Sequence, residues 1–153
     1  VAGVQSPELL ARASVLGGTD GVDARAPDCA AQVRALAGGG VDFAFEMAGS
    51  IPALGNALDM TRRGGTTVTA GLPPPGAALP VDIVRLVGEE RTLKGSYMGS
   101  CVPARDIPRF IQLYREGRLP VERLLSGTLS LDEINAGFDR LHDGSAVRQV
   151  VLF

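Results

Sequence analysis

The chain has 153 residues with 15 basic and 17 acidic side chains, a formal charge of −2, and this near balance excludes the concentrated basic face that nucleic acid or an anionic membrane requires. Hydrophobic residues at 45% against 21% charged exclude a disordered chain, and Gly, Pro or charge interrupts every apolar run before the roughly 20 residues of a membrane span. Two cysteines and one histidine offer neither a disulfide framework nor a zinc ligand set, and together with the absence of a secretory signal pattern they predict a reducing, cytoplasmic setting.

Short apolar runs alternate with helical spacing along the chain. Residues 1–5 read as a strand. Ser6 then caps a helix with Pro7 in its first turn and Glu8 favourable to the dipole. Leu9, Ala13 and Leu16 share one face of it, and Gly17-Gly18 stop it. Residues 21–24 make the next short strand. Pro27 opens a helix with Cys29, Val33 and Leu36 on one stripe, ended by Gly38-Gly39-Gly40. Residues 41–46 (VDFAFE) are a strand; Ser50 and Pro52 begin a helix carrying Ile51, Leu54 and Leu58, ended by Gly64-Gly65.

Residues 66–72 (TTVTAGL) are rich in β-branched side chains and run into Pro73-Pro74-Pro75-Gly76, which must leave the sheet. A short helix over 82–88 precedes a strand over 92–98 (TLKGSYM), with the Glu89-Glu90 pair as a solvated helix end. Ile107, Phe110, Ile111 and Tyr114 recur at helical spacing after Pro103. Ser130-Leu131-Asp132-Glu133 forms a capping box before Ile134, Phe138 and Leu141, and residues 147–153 close the chain as a strand. This alternation predicts an α/β fold with a doubly wound parallel sheet. A G-x-G-x-x-G motif needs a strand before it and a helix after it, and the glycine clusters at 17–21 and 38–40 both follow helices instead.

The segments GGGVDFAFEMAGS, RRGGTTVTAGLPPPG, RTLKGSYMGS and DEINAGFDRLHDGSAVRQVVLF resemble, in unbroken order, the C-terminal half of medium-chain, zinc-type alcohol dehydrogenases. The resemblance implies a Rossmann-type domain over 1–120, entered at its second strand with the first strand and glycine-rich loop absent, and a helix and strand of the catalytic domain over 121–153. In the strand order 3-2-1-4-5-6, that leaves a central gap. Residues 1–5 are then expected either to re-pair with 41–46 or to leave the chain poorly stable.

The same resemblance implies cofactor contacts. Ala70, Gly71 and Leu72, with Ser96, Tyr97 and Met98, match the nicotinamide side. Gly71 either lets the backbone approach a flat ring or opens the turn before the prolines. Met47, Ala48 and Gly49 match the adenosine side, with Ser50 read as a helix cap. Arg148 matches an arginine that reaches the pyrophosphate, a task suited to a permanently charged fork. The ribose-reading acid falls at Val4 or Gln5, and Gln5 is the candidate. With no basic residue directly after it and Glu8 close by, the expectation is NAD rather than NADP.

No catalytic or metal residue is assigned in this chain; the family's zinc ligands and proton relay belong elsewhere. Cys29 and Cys101 read as structural thiols, and His142 as complementing a helix dipole. The implied activity is an NAD(P)-dependent alcohol dehydrogenase, to which this chain contributes the cofactor cleft while being inactive alone. An alcohol or aldehyde would be met only with the N-terminal domain, and a homo-oligomer is implied through residues 92–98. Two further readings stay open. One is a non-catalytic nucleotide-binding or partner-docking module. The other is a zinc-independent quinone reductase of the same superfamily, although RTLKGSYMGS and DEINAGFDRL look more like the zinc-type branch.

Overall fold

The computed structural model describes residues 2–4 and 7–153; Val1, Gln5 and Ser6, and with them the expected Ser6 cap, lie outside the described residues. The chain divides into two compact units, Val1–Cys101 and Val102–Phe153.

The first unit alternates strand and helix: β1 (Ala2–Val4), α1 (Pro7–Val15), β2 (Gly21–Asp23), α2 (Cys29–Leu36), β3 (Val41–Glu46), α3 (Ile51–Met60), β4 (Thr61–Thr69), α4 (Ile83–Gly88) and β5 (Thr92–Gly95). β1 pairs with β2, and β3, β4 and β5 pair in that order, every ladder parallel. The expected re-pairing of residues 1–5 with 41–46 does not occur among the described residues. Ala2, Gly3 and Val4 face Gly21, Val22 and Asp23 instead, in the ladder that the α1 crossover naturally closes.

The two sheets are joined through helices. Val22, Cys29 and Val33 form a buried cluster against which Ala26, Val41 and Met60 pack. The Arg34 guanidinium also donates to the Asp59 carbonyl at 3.1 Å. Burial raises the Cys29 thiol, with Asp23 and Asp28 adding to it, so the thiol stays neutral. Leu36, expected on the same stripe, is exposed, because α2 ends there.

Helix ends follow glycine where the sequence provides it. Gly18 N–H donates to the Ala13 carbonyl and Gly17 N–H to Ser14, with Gly17 at φ +100°, a six-to-one closure. Gly38 and Gly39 repeat it on Ala35 and Arg34. α3 breaks the rule. It passes directly into β4 at Thr61, and Gly64-Gly65 lie inside the strand rather than ending the helix. Glu89 corrects the reading of a solvated pair: its carboxylate pairs with Arg85 and with Arg91, whose side chain is only 7% exposed.

The second unit holds α5 (Pro103–Arg115), β6 (Leu125–Ser130), α6 (Ile134–His142) and β7 (Arg148–Leu152), with β6 and β7 parallel. At the start of α5 the Arg105 guanidinium, and after it the Val102 amide, hold the Asp106 carboxyl down at about 2. The capping box at Ser130 and Glu133 forms as its spacing predicts, ahead of α6.

Candidate functional site

Loops that leave the carboxyl ends of neighbouring parallel strands share one rim, where open α/β sheets bind ligands. β3, β4 and β5 are such neighbours. Met47, Ala48 and Gly49 follow β3; Ala70, Gly71 and Leu72 follow β4; Ser96, Tyr97 and Met98 follow β5.

The first two loops meet backbone to backbone. A Cβ placed on Gly71 would lie 1.9 Å from the Gly49 amide nitrogen and 2.5 Å from its Cα. A Cβ on Gly49, itself at φ +67°, would lie 2.7 Å from the Leu72 carbonyl oxygen. Glycine at 71 is therefore required by the chain's own neighbour at 49, beyond any turn or ligand. The third loop continues the ladder, with Ser96 N–H donating to the Thr69 carbonyl at 2.9 Å. β5 itself stops at Gly95, short of the strand expected to 98, because Met98, Gly99 and Ser100 turn left-handed at φ 49°, 67° and 55°.

Beneath the rim lies Glu46, the last residue of β3 and only 4% exposed. Strand alternation turns Phe43 and Phe45 outward and Ala44 and Glu46 inward, so the carboxylate is buried and must find donors. Its Oε1 accepts from the Ala48 amide at 2.7 Å and the Ser50 amide at 3.3 Å. Its Oε2 accepts from the Thr69 hydroxyl at 3.0 Å. The Glu46 carbonyl also receives the Ala70 amide at 2.9 Å and the Gly71 amide at 3.4 Å. Ser50 stands at the cap position of α3, but its side chain makes no capping bond; its amide is committed to Glu46. Sequence reasoning missed Glu46. The available signal was an acid in phase with a small inward residue at the end of an apolar strand.

Met47, Leu72, Tyr97 and Met98 remain 63–79% exposed around this rim. Apolar side chains over a rim of backbone amides and carbonyls suit a flat heteroaromatic ring with a polar substituent. The residues present thus fit the flat rings that a dinucleotide carries. Arg148 opens β7 in the second unit, exposed, with its guanidinium donating to the Val147 carbonyl at 2.9 Å. Gln5 lies outside the described residues.

Zinc does not fit in the same way. Among the described residues no group of three or more His, Cys, Asp or Glu side chains gathers as a donor set. Cys29 is buried in the β2–α2 core, and His142 ends α6. A cavity of about 250 Å³ lies by Leu58, Leu79 and Leu86. Its charged lining is already engaged, Arg85 with Asp59 and Arg91 with the Leu58 carbonyl. It is lined by α3, by α4 with the segment that leads into it, and by Arg91 just before β5, and by none of the residues 47–49, 70–72 or 96–98. No helix among the described residues is long and apolar enough to cross a membrane.

Comparison with known proteins agrees with the fold. Residues 1–116 match the family described as zinc-binding dehydrogenase. S-(hydroxymethyl)glutathione dehydrogenase of Paracoccus denitrificans is 35% identical over 116 residues, covering 75% of this chain and 31% of that protein. The solved alcohol dehydrogenase zinc-binding domain protein of Burkholderia ambifaria superposes at TM-score 0.91 with 30% identity, over 97% of this chain and 40% of that one. Benzyl alcohol dehydrogenase of Acinetobacter calcoaceticus superposes at TM-score 0.90 with 27% identity, over 95% and 40%. The chain thus spans between about 31% and 40% of the length of these proteins.

Proposed function

The chain belongs to the zinc-binding dehydrogenase family, and on that premise we propose that it supplies the nicotinamide-cofactor cleft of an NAD-dependent alcohol dehydrogenase. The observation that carries the reading is the rim where residues 47–49 and 70–72 cross in backbone contact at the carboxyl ends of β3 and β4. The bound cofactor supplies a hydride acceptor or donor for an alcohol and its aldehyde or ketone. Backbone groups of 70–72 and 96–98 orient the ring, Met47, Ala48 and Gly49 line the adenosine side, and the Arg148 guanidinium takes the pyrophosphate. Gln5 reads the ribose, and Glu8 disfavours the 2′-phosphate of NADP.

In this reading residues 1–120 are the cofactor-binding part and 121–153 belong with the catalytic domain. The described residues gather no zinc donors, and the matched relatives are about 2.4 times as long, 116 matched residues making 31% of one of them against 153 here. We therefore assign alcohol turnover to segments of those relatives beyond the match, and expect this chain alone to bind cofactor without oxidising alcohol. Two free cysteines, one buried, support a reducing, cytoplasmic setting.

The test is titration of the purified chain with NADH, followed by nicotinamide fluorescence. Saturable enhancement that NAD competes away is expected, and Arg148→Ala should weaken it about tenfold, as loss of a charge-assisted contact does. Absence of saturation removes the cleft reading. Equal competition by nucleotides lacking nicotinamide would favour the simpler nucleotide-binding module.

We also propose a homo-oligomer through residues 92–98. Ser96 N–H points to β4, so by strand alternation the Leu93 N–H points away from it, toward the free edge of β5. Leu93→Pro removes that edge donor and spares the β4 ladder. Sedimentation should show subunit dissociation at least about tenfold easier, the loss of roughly one or two edge bonds; unchanged assembly counts against pairing along this strand.

A further inference from the structure

We infer that Glu46 is a positioning residue, whose buried carboxylate holds the loop after β3 in register with the loop after β4 so that both face one ligand. The inference rests on the proposed cofactor cleft for its purpose, but on geometry for its content. One oxygen binds two amides of the first loop, Ala48 and Ser50, and the other binds the Thr69 hydroxyl at the root of the second. The same residue's carbonyl receives Ala70 and Gly71. Every donor comes from a segment that flanks the rim, and none from the hydrophobic core.

A side chain that only stabilised the sheet would not need this distribution. At 4% exposure an acid is costly unless paired, and an apolar residue in phase with Ala44 would fill the same space. What an apolar residue would not do is fix the amides of 48 and 50. Those amides would otherwise turn to water, and the crossing between Gly49 and Gly71 leaves no slack for the loop to shift. Glu46 touches no proposed ligand atom. It acts through Ala48, Ser50 and Thr69.

The experiment compares the purified chain with Glu46→Gln, which preserves size but replaces one acceptor oxygen by a donor, and with Thr69→Val, which removes the hydroxyl tether and leaves Glu46 in place. Val33→Ala, in the β2–α2 core, serves as a control for general destabilisation. Position-resolved hydrogen exchange is measured without cofactor, and NADH affinity separately. In Glu46→Gln the amides of 48 and 50 should exchange about tenfold faster while those of 43–45 hold, and NADH should dissociate about tenfold more readily. Thr69→Val should move both readouts the same way by a few fold, as loss of one neutral hydrogen bond does. Val33→Ala should leave the ratio of loop to ladder exchange unchanged.

Unchanged exchange at 48 and 50 in both Glu46→Gln and Thr69→Val overturns the inference, as does faster exchange spread evenly over β3. If Glu46→Gln does not fold, Thr69→Val decides. Loop exchange that responds while the unmodified chain binds no NADH supports the positioning role and removes only the cofactor reading.

Discussion

Gly71→Ala is expected to destabilise the first unit by about 3 kcal/mol or more, the upper range for forcing atoms into filled space. The added methyl carbon would lie 1.9 Å from the Gly49 nitrogen, 2.5 Å from its Cα and 2.9 Å from the Ala48 carbonyl carbon. All three are backbone atoms, so no side chain can rotate aside; one loop must move. Gly49 has no freedom to move toward Leu72, because that loop is the one the methyl pushes from. The rim should therefore open, and NADH binding should fall more than about tenfold in step with the loss of fit. Gly88→Ala is the contrast. Beyond its chain neighbours and its own helical backbone nothing lies within 4 Å of its Cβ position at the end of α4, and the substitution should stabilise by roughly 0.5 kcal/mol through helix propensity and unfolded-state entropy. Urea denaturation of both variants checks the pair. A Gly71→Ala midpoint within error of the unmodified chain would falsify the backbone crossing.

The second large effect is expected at Thr61. Thr61 and Thr67 are both 0% exposed, and their hydroxyls are 2.7 Å apart. The Thr61 hydroxyl donates to the Ala57 carbonyl at 2.8 Å. That carbonyl depends on it, because the Thr61 amide goes to Leu58 instead. With its single proton committed, Thr61 accepts from Thr67, so the order of donation is fixed. Thr61→Val strands a donor and a helix-end carbonyl together and should cost about 2–3 kcal/mol. Thr67→Val removes only a donor and should cost about 1 kcal/mol. The double variant should cost less than the sum, since Thr67→Val removes one of the groups that Thr61→Val leaves unpaired. Denaturant midpoints for the three variants give the cycle; a larger loss from Thr67→Val than from Thr61→Val would reverse the assignment.

Much of this architecture is legible in local signals. VDFAFE is a strand at the stated bounds, glycine in the left-handed region closes α1 and α2, and the Ser130–Glu133 box stands before α6. These features depend on residues within one turn of each other. What sequence could not show depends on residues brought together by folding. Gly64-Gly65 reads as a helix stop, yet α3 ends earlier because the Thr61–Thr67 pair anchors the chain there, and the glycines fall within β4. Residues 125–130 (LSGTLS) lack the continuous β-branched run that identifies TTVTAGL, and become β6 only through pairing with β7. At the candidate site, each loop could be named from its place after a strand. The reason for Gly71, and any role for Glu46, could not, because their partners lie in another loop or 23 residues away.

Every ladder in both units is parallel. Among the described residues no strand can therefore meet its neighbour through a tight hairpin. Ala2 waits for Gly21, Phe43 for Thr66, Thr66 for Thr92, and Leu125 for Arg148. A chain leaving the ribosome must carry each strand bare until the following helix and the next strand have been made. At about 5–20 residues per second, that interval lasts roughly one to several seconds. Loop closure precedes reward at every step, which places this fold among slow, non-local folders. During synthesis the β3 segment, with its outward Phe43 and Phe45, is the stretch that a holding chaperone has most reason to cover.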